Sequence, residues 1–266
     1  MALSTAAENE LRNMLRAFRA AHSGMIVPTG EGKALEAWVL MKLANTVRRQ
    51  MSRFWRVSLR QGDGTTLPSG STFNFPSQRS RIQPSSATAP GYVLIEHKTH
   101  TDRRFELRGS VQWKGRSDAK HEIDVSMLPA SIGEAIRNNG GGYPHGLPIL
   151  AVECKDKGGF GPLDETRQTL ARMYDLVLVT QPIPGWSCRI FETNTHTLWG
   201  RKSSRYIAFF QKGTFAIVRA GQFQSGATTL ANHYSIGHYR TVYTTPSEIN
   251  RLQDSFRETL SHVSSF

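Results

Sequence analysis

LPILAVECK, residues 147–155, is the stretch on which the fold turns. It is an almost unbroken apolar run, too short for a typical helix and ended by charge, and it reads as a buried central strand. On a strand alternate side chains share a face, so Glu153 and Lys155 project together while Cys154 points the other way, into packing. A carboxylate and an ammonium at the end of a buried strand are costly unless something engages them.

Working outward from this run, three strands are expected before it: YVLIEHK (92–98), RFELRGSVQW (104–113) and HEIDVSML (121–128). A short helix from Ala130 to Asn138 follows them, ended by the Asn-Asn-Gly-Gly-Gly run at 138–142. Downstream, LDETRQTLARMY (163–174) reads as a helix leading into an apolar strand at 175–181, which a right-handed crossover would lay parallel to the central strand. Toward the N-terminus, Leu11, Met14, Leu15 and Phe18 mark a helix over 7–22, and Leu35, Trp38, Val39 and Leu43 mark another over 33–51. A short strand is expected at 54–60, followed by a Gly-, Ser-, Thr- and Pro-rich stretch at 61–91 that reads as a long flexible loop. Beyond 181 come three further strand signals, SCRIFET, RYIAFFQK and TFAIVRA, and a terminal helix over 246–262. The class is α/β: a mixed central sheet flanked by helices, with an N-terminal helix and a C-terminal β-rich elaboration.

The 266 residues suffice for one good-sized core, and no apolar run approaches the roughly 20 residues of a membrane span. The first residues lack the apolar segment of a secretory signal, so a cytoplasmic setting without membrane partners is expected. Cys154 and Cys188 are too few for a disulfide framework and match no zinc spacing. The net charge of +12 favours polyanionic partners, nucleic acid first among them.

If HEIDVSML pairs beside the central strand, Asp124 reaches the same edge as Glu153, and two carboxylates converge with Lys155. Hard oxygen ligands of this kind suit Mg²⁺, with Mn²⁺ able to substitute. Glu36, near the start of the second helix, is the candidate third carboxylate. Glu122 shares the face of Asp124 and is a candidate supporting group, whereas His121 faces the other way and suits packing or hydrogen bonding better than proton transfer. Arg103, Arg104 and Arg108, with Lys114, Arg116 and Lys120, are candidate contacts to a phosphate backbone.

Asp124 followed by Glu153-Cys154-Lys155, with Glu36 on a preceding helix, resembles the PD-(D/E)xK nuclease superfamily, the restriction-endonuclease-like fold. GRSDAKHEIDV (115–125) is similar to a segment of some restriction-type enzymes, although no proline precedes Asp124. The resemblance covers residues 33–181. It implies an αβββαβ core within 1–181, with 182–266 as an extension packed on it and not an independent domain. It also implies Mg²⁺-dependent hydrolysis of DNA, with metal ligation by Asp124 and Glu153 and Glu36 assisting. Gln168 resembles a helix glutamine that helps orient the site in some relatives, but the tyrosine expected at the fourth position after it is replaced by Arg172. A restriction or anti-phage effector, acting as a homodimer or within a defence complex, is the setting this suggests. The alternatives are a non-cleaving nucleic-acid-binding subunit and a structure-selective junction or transposition nuclease.

Overall fold

The computed structural model describes residues 4–21, 32–176, 188–191, 198–201 and 215–264, with backbone only for 188–191, 198–201 and 264. Among these residues it is an α/β protein in which ten strands form one mixed sheet and six helices pack around it. The helices are α1 (Thr5–Ala17), α2 (Lys33–Gln50), α3 (Ala130–Asn138), α4 (Leu163–Leu176), α5 (Ser225–His233) and α6 (Pro246–Ser264). The strands are β1 (Trp55–Arg60), β2 (Tyr92–His97), β3 (Arg104–Lys114), β4 (Lys120–Pro129), β5 (His145–Gly146), β6 (Leu150–Lys155), β7 (Cys188–Phe191), β8 (Leu198–Arg201), β9 (Phe215–Arg219) and β10 (Gly237–Tyr239).

The apolar run becomes a buried interior strand from Leu150 on, three residues later than expected and third from the β10 edge of the sheet. β6 lies between β4, antiparallel in the register Val125↔Val152, and β9, parallel in the register Glu153↔Ile217. Ala151, Val152 and Cys154 are buried on it. The long strand β3 joins the two ends of the sheet: its first half pairs with β2, and its last residue, Lys114, pairs with His145 of β5, which leads on to β7 and β8.

Helix α2 is buried on nearly every side, from Leu35 through Val47, because it is the hub on which the other layers meet. Trp38 donates its indole N–H to Glu10 of α1 at 3.0 Å, and Gln253 of α6 donates to Thr46 at 2.6 Å. Helix α1 starts at a Ser4 cap whose hydroxyl accepts the Ala7 amide, and ends five residues before the expected position 22.

Two expectations change. The strand sought at 175–181 begins with Asp175 and Leu176, which are the last turn of α4, and its remainder lies outside the described residues. The parallel neighbour of β6 is instead β9, from the TFAIVRA segment, so residues beyond 181 supply a strand next to the centre of the sheet. RYIAFFQK lies outside the described residues. The stretch 61–91 has no helix or extended ladder, but it is folded back on the protein: Phe73, Phe75 and Ile82 are buried, and Ser80 bridges to Val111 of β3. Its apolar residues are few but enough to pin it. Helix α5 and the short strands β5 and β10 had no distinct periodic signal in the sequence.

Candidate active site

Continuing the β4–β6 register by one step sets Asp124 opposite Glu153. The two carboxylates and Glu36 are buried, at 6%, 9% and 7% exposure. Asp124 accepts the backbone N–H of Cys154 at 2.7 Å and, among the described residues, makes no ion pair. Burial first, then repulsion from Glu153 and Glu36, holds its carboxyl well above the ordinary carboxylate range.

Glu153 is gripped from two sides. Lys155 donates to one oxygen at 2.7 Å, the contact that strand parity anticipates, and Arg172 of α4 donates to the other at 2.6 Å. Arg172 also reaches the Glu122 carbonyl at 3.2 Å, tying α4 to β4. Burial pulls the Lys155 ammonium toward neutrality, but the Glu153 and Asp124 carboxylates outweigh it and keep it charged to higher pH.

Glu36 enters from the first turn of α2. Lys33, one turn earlier, donates to both its oxygens at 3.0 and 2.9 Å, and Ser110 donates to Oε2 at 2.6 Å. Burial nonetheless raises its carboxyl above the usual value. Ser110 is in the left-handed region at φ 51°, and the β3–β4 ladder skips it between Gly109 and Val111. This break in the ladder lies directly across from Asp124, the kind of local distortion that re-aims a side chain. Glu122 completes the group through Arg79 at 2.5 Å and Lys33 at 3.5 Å.

Lys33, Arg79, Ser110 and Arg172 escaped the sequence reading. Lys33 could have been found from its i, i+3 spacing to Glu36. Arg172 was visible only as a missing tyrosine. Arg79 comes from the irregular stretch, and the Ser110 conformation has no sequence signature, because both depend on how distant segments meet.

Of the other candidates, Gln168 lies exposed on α4, one turn before Arg172. His121 faces away, as strand parity requires, and its ring contacts Asp175 of α4 at 2.6 Å. Asp175 also accepts from the Ser117 amide and hydroxyl at 3.1 and 2.6 Å. Burial alone would raise the Asp175 carboxyl, but the bonds from Ser117 and His121 outweigh it and lower it. Its contribution is therefore fully present above the ordinary Asp range and is lost as pH falls through the depressed native value. Asp175→Ala is expected to cost about 1–2 kcal/mol at neutral pH. Urea melts should show that gap narrowing in acid; a gap that is constant with pH contradicts the assignment.

The six basic candidates do not form one patch. Arg104 is exposed and paired with Glu96 at 3.1 Å, and Arg103 is half-buried, both at the start of β3. Lys114, Arg116 and Lys120 lie at its other end, roughly 30 Å away at strand rise. That second group is the one near Asp124, four residues along β4 from Lys120. Arg108 is 5% exposed, bound to Glu106 at 2.6 Å and laid over the Tyr92 ring, so the surface contact expected of it is unavailable. A charged residue in an alternating strand reads as surface unless the opposite face is also covered, and here the 62–91 segment and α3, whose Arg137 shares Glu106 with Arg108, cover it.

Among the described residues no three His, Cys, Asp or Glu side chains converge closely enough to enclose a metal ion by themselves. Mg²⁺ does not need such a cage, since it usually takes one or two carboxylates and keeps several waters. The donor chemistry fits it: Asp124 is a buried carboxylate that makes no ion pair among the described residues and faces a second carboxylate. No family model matches the chain, and neither does any curated protein or solved structure.

Proposed function

We propose that the chain is a Mg²⁺-dependent endonuclease that hydrolyses DNA phosphodiester bonds, with a PD-(D/E)xK type of site. The observation that carries the reading is the buried opposition of Asp124 and Glu153 at the end of the central strand, with Lys155 beside them. Asp124 and Glu153 would hold Mg²⁺ or Mn²⁺, with Glu36 as a third carboxylate. When bound, the metal supplies Lewis acidity toward the phosphate and lowers the pKa of an attacking water.

The remaining work falls to this chain's side chains. Lys155 places a point charge where negative charge grows on the phosphate oxygens. Arg172 fixes Glu153 from the side opposite Lys155, and Lys33 with Ser110 fixes Glu36, so the carboxylates are held in place before substrate arrives. The net charge of +12 draws in the DNA, with Lys114, Arg116 and Lys120 near the site to meet its backbone. Restriction or anti-phage defence, in a homodimer or a larger assembly, is the setting that suits such an activity.

The test is incubation with supercoiled plasmid. Nicked or linear product is expected with Mg²⁺ or Mn²⁺ and none with EDTA. Mg²⁺ at a hundredfold excess over its dissociation constant is also expected to stabilise the fold by about 2.7 kcal/mol, read as a higher Tm. One observation favours a second reading, a nucleic-acid-binding subunit that does not cut: Glu36, Glu122 and Glu153 are each already paired with a cation. That reading predicts DNA retardation with plasmid, linear and branched substrates all left intact.

A further inference from the structure

Five residues beyond Lys155 the chain carries Phe160, 68% exposed and the most exposed large hydrophobic side chain among the described residues. The backbone around it is held on both sides. On one side Arg219, itself 1% exposed, donates from Nε and Nη2 to the Gly159 carbonyl at 3.2 and 3.0 Å, while its Nη1 pairs with Glu165 of α4. On the other, Gly161 donates to the Gln222 carbonyl at 2.7 Å and accepts from the Gln224 amide at 3.0 Å. Close packing reinforces the clamp: a Cβ on Gly221 would lie 2.3 Å from the Gly159 oxygen, and one on Gly161 would lie 3.0 Å from Arg219 Nε. The sheet itself supplies the anchor, because Arg219 is the register partner of Lys155 across β6 and β9.

A turn braced in this way holds the Phe160 backbone in place and leaves the ring to solvent, at a standing hydrophobic cost and with little backbone ordering left to lose on binding. Chain length alone keeps the Cα atoms of Phe160 and Lys155 within about 18 Å of each other, the span of a few nucleotides. Lys157 is exposed on the same turn. We infer that Phe160 is a stacking platform for an unpaired base of the nucleic-acid strand whose phosphate lies at Asp124, Glu153 and Lys155. This rests on the nuclease reading for the position of the strand, and it narrows the substrate to DNA that is single-stranded or locally opened beside the cleaved bond. Any base suffices, since every base has a π-face. The ring fixes the strand's position without choosing its sequence.

The test is fluorescence anisotropy in EDTA with two labelled single strands of equal length, one carrying bases and one fully abasic, so that the phosphates match and only stacking differs. Wild-type protein is expected to bind the strand with bases about tenfold more tightly. Phe160→Ala should remove that preference while leaving the abasic strand's affinity unchanged, and Phe160→Trp should restore it. Equal affinity of wild-type protein for both strands overturns the inference, as does no binding to either. So does a Phe160→Ala protein that keeps the preference, or that loses affinity equally for both strands, the pattern of a ring needed only for structure or for a protein partner. Plasmid cleavage with Mg²⁺ is scored separately. Cutting without the base preference sinks only the platform, and the preference without cutting sinks only the nuclease reading.

Discussion

Asp124→Asn is expected to abolish plasmid cleavage while leaving the metal-free protein as stable as the wild type or more so. The asparagine keeps the shape of the side chain and an oxygen for the Cys154 amide, so the hydrogen bond at 2.7 Å survives. What disappears is a charge that burial and the Glu153 and Glu36 carboxylates all oppose. On the proposed nuclease reading cleavage needs that same charge, because Asp124 is the carboxylate of the group that makes no ion pair among the described residues. Metal assistance amounts to several kcal/mol of transition-state stabilisation, so its loss corresponds to about a thousandfold or more in rate.

The pH dependence has a definite sign. A carboxyl whose native pKa is raised contributes stability that is fully present below its unfolded value and is lost as pH rises through the native one. The advantage of Asp124→Asn over wild type should therefore be absent in acid and widen toward neutral pH. Thermal melts of both proteins in EDTA across that range, with plasmid assays alongside, decide the matter. A variant that still cuts, or that melts well below wild type at neutral pH, removes Asp124 from the role assigned to it.

Glu106→Ala is expected to be the most damaging single change to the scaffold, about 3–5 kcal/mol, or roughly 10 °C in Tm. Glu106 is 0% exposed and serves two guanidinium groups, Arg108 at 2.6 Å and Arg137 at 2.8 Å. Removing it leaves two like charges facing one another over the Tyr92 ring with no carboxylate between them. Gly133 of α3 packs so closely on Glu106 that a Cβ there would lie 2.2 Å from its carboxylate oxygen. Glu106→Gln, which keeps one acceptor, should lose less. Cleavage by either variant, measured below its melting transition, should stay close to wild type, because this network is separate from Asp124 and Glu153. A collapse of activity in folded Glu106→Gln protein would show that the two are linked.

How much of this was legible beforehand follows from how local each feature is. Helix α3 and strands β1 to β4 occupy the ranges that periodicity and turn residues indicated to within a residue or two, because a helix stripe or a strand alternation is written in neighbouring positions. The contact of Lys155 with Glu153 was equally local, since two residues apart on a strand share a face. Arg108 shows the limit of the same rule: alternation gives the face on which it lies but not whether the 62–91 segment and α3 cover that face.

Sequence alone determined that most of LPILAVECK is a buried interior strand, that Glu153 and Lys155 stand together at its end, and that Asp124 belongs to a strand placed to reach them. Only the tertiary structure decided which cations hold the carboxylates, that β9 and not the segment after α4 lies parallel to β6, and that Ser110 breaks the ladder opposite Asp124. The reason is physical. Side-chain parity and hydrophobic period are fixed by backbone geometry over a few residues, whereas ion pairing and strand order are settled by the packing of segments tens of residues apart, where charge, burial and backbone strain are balanced together.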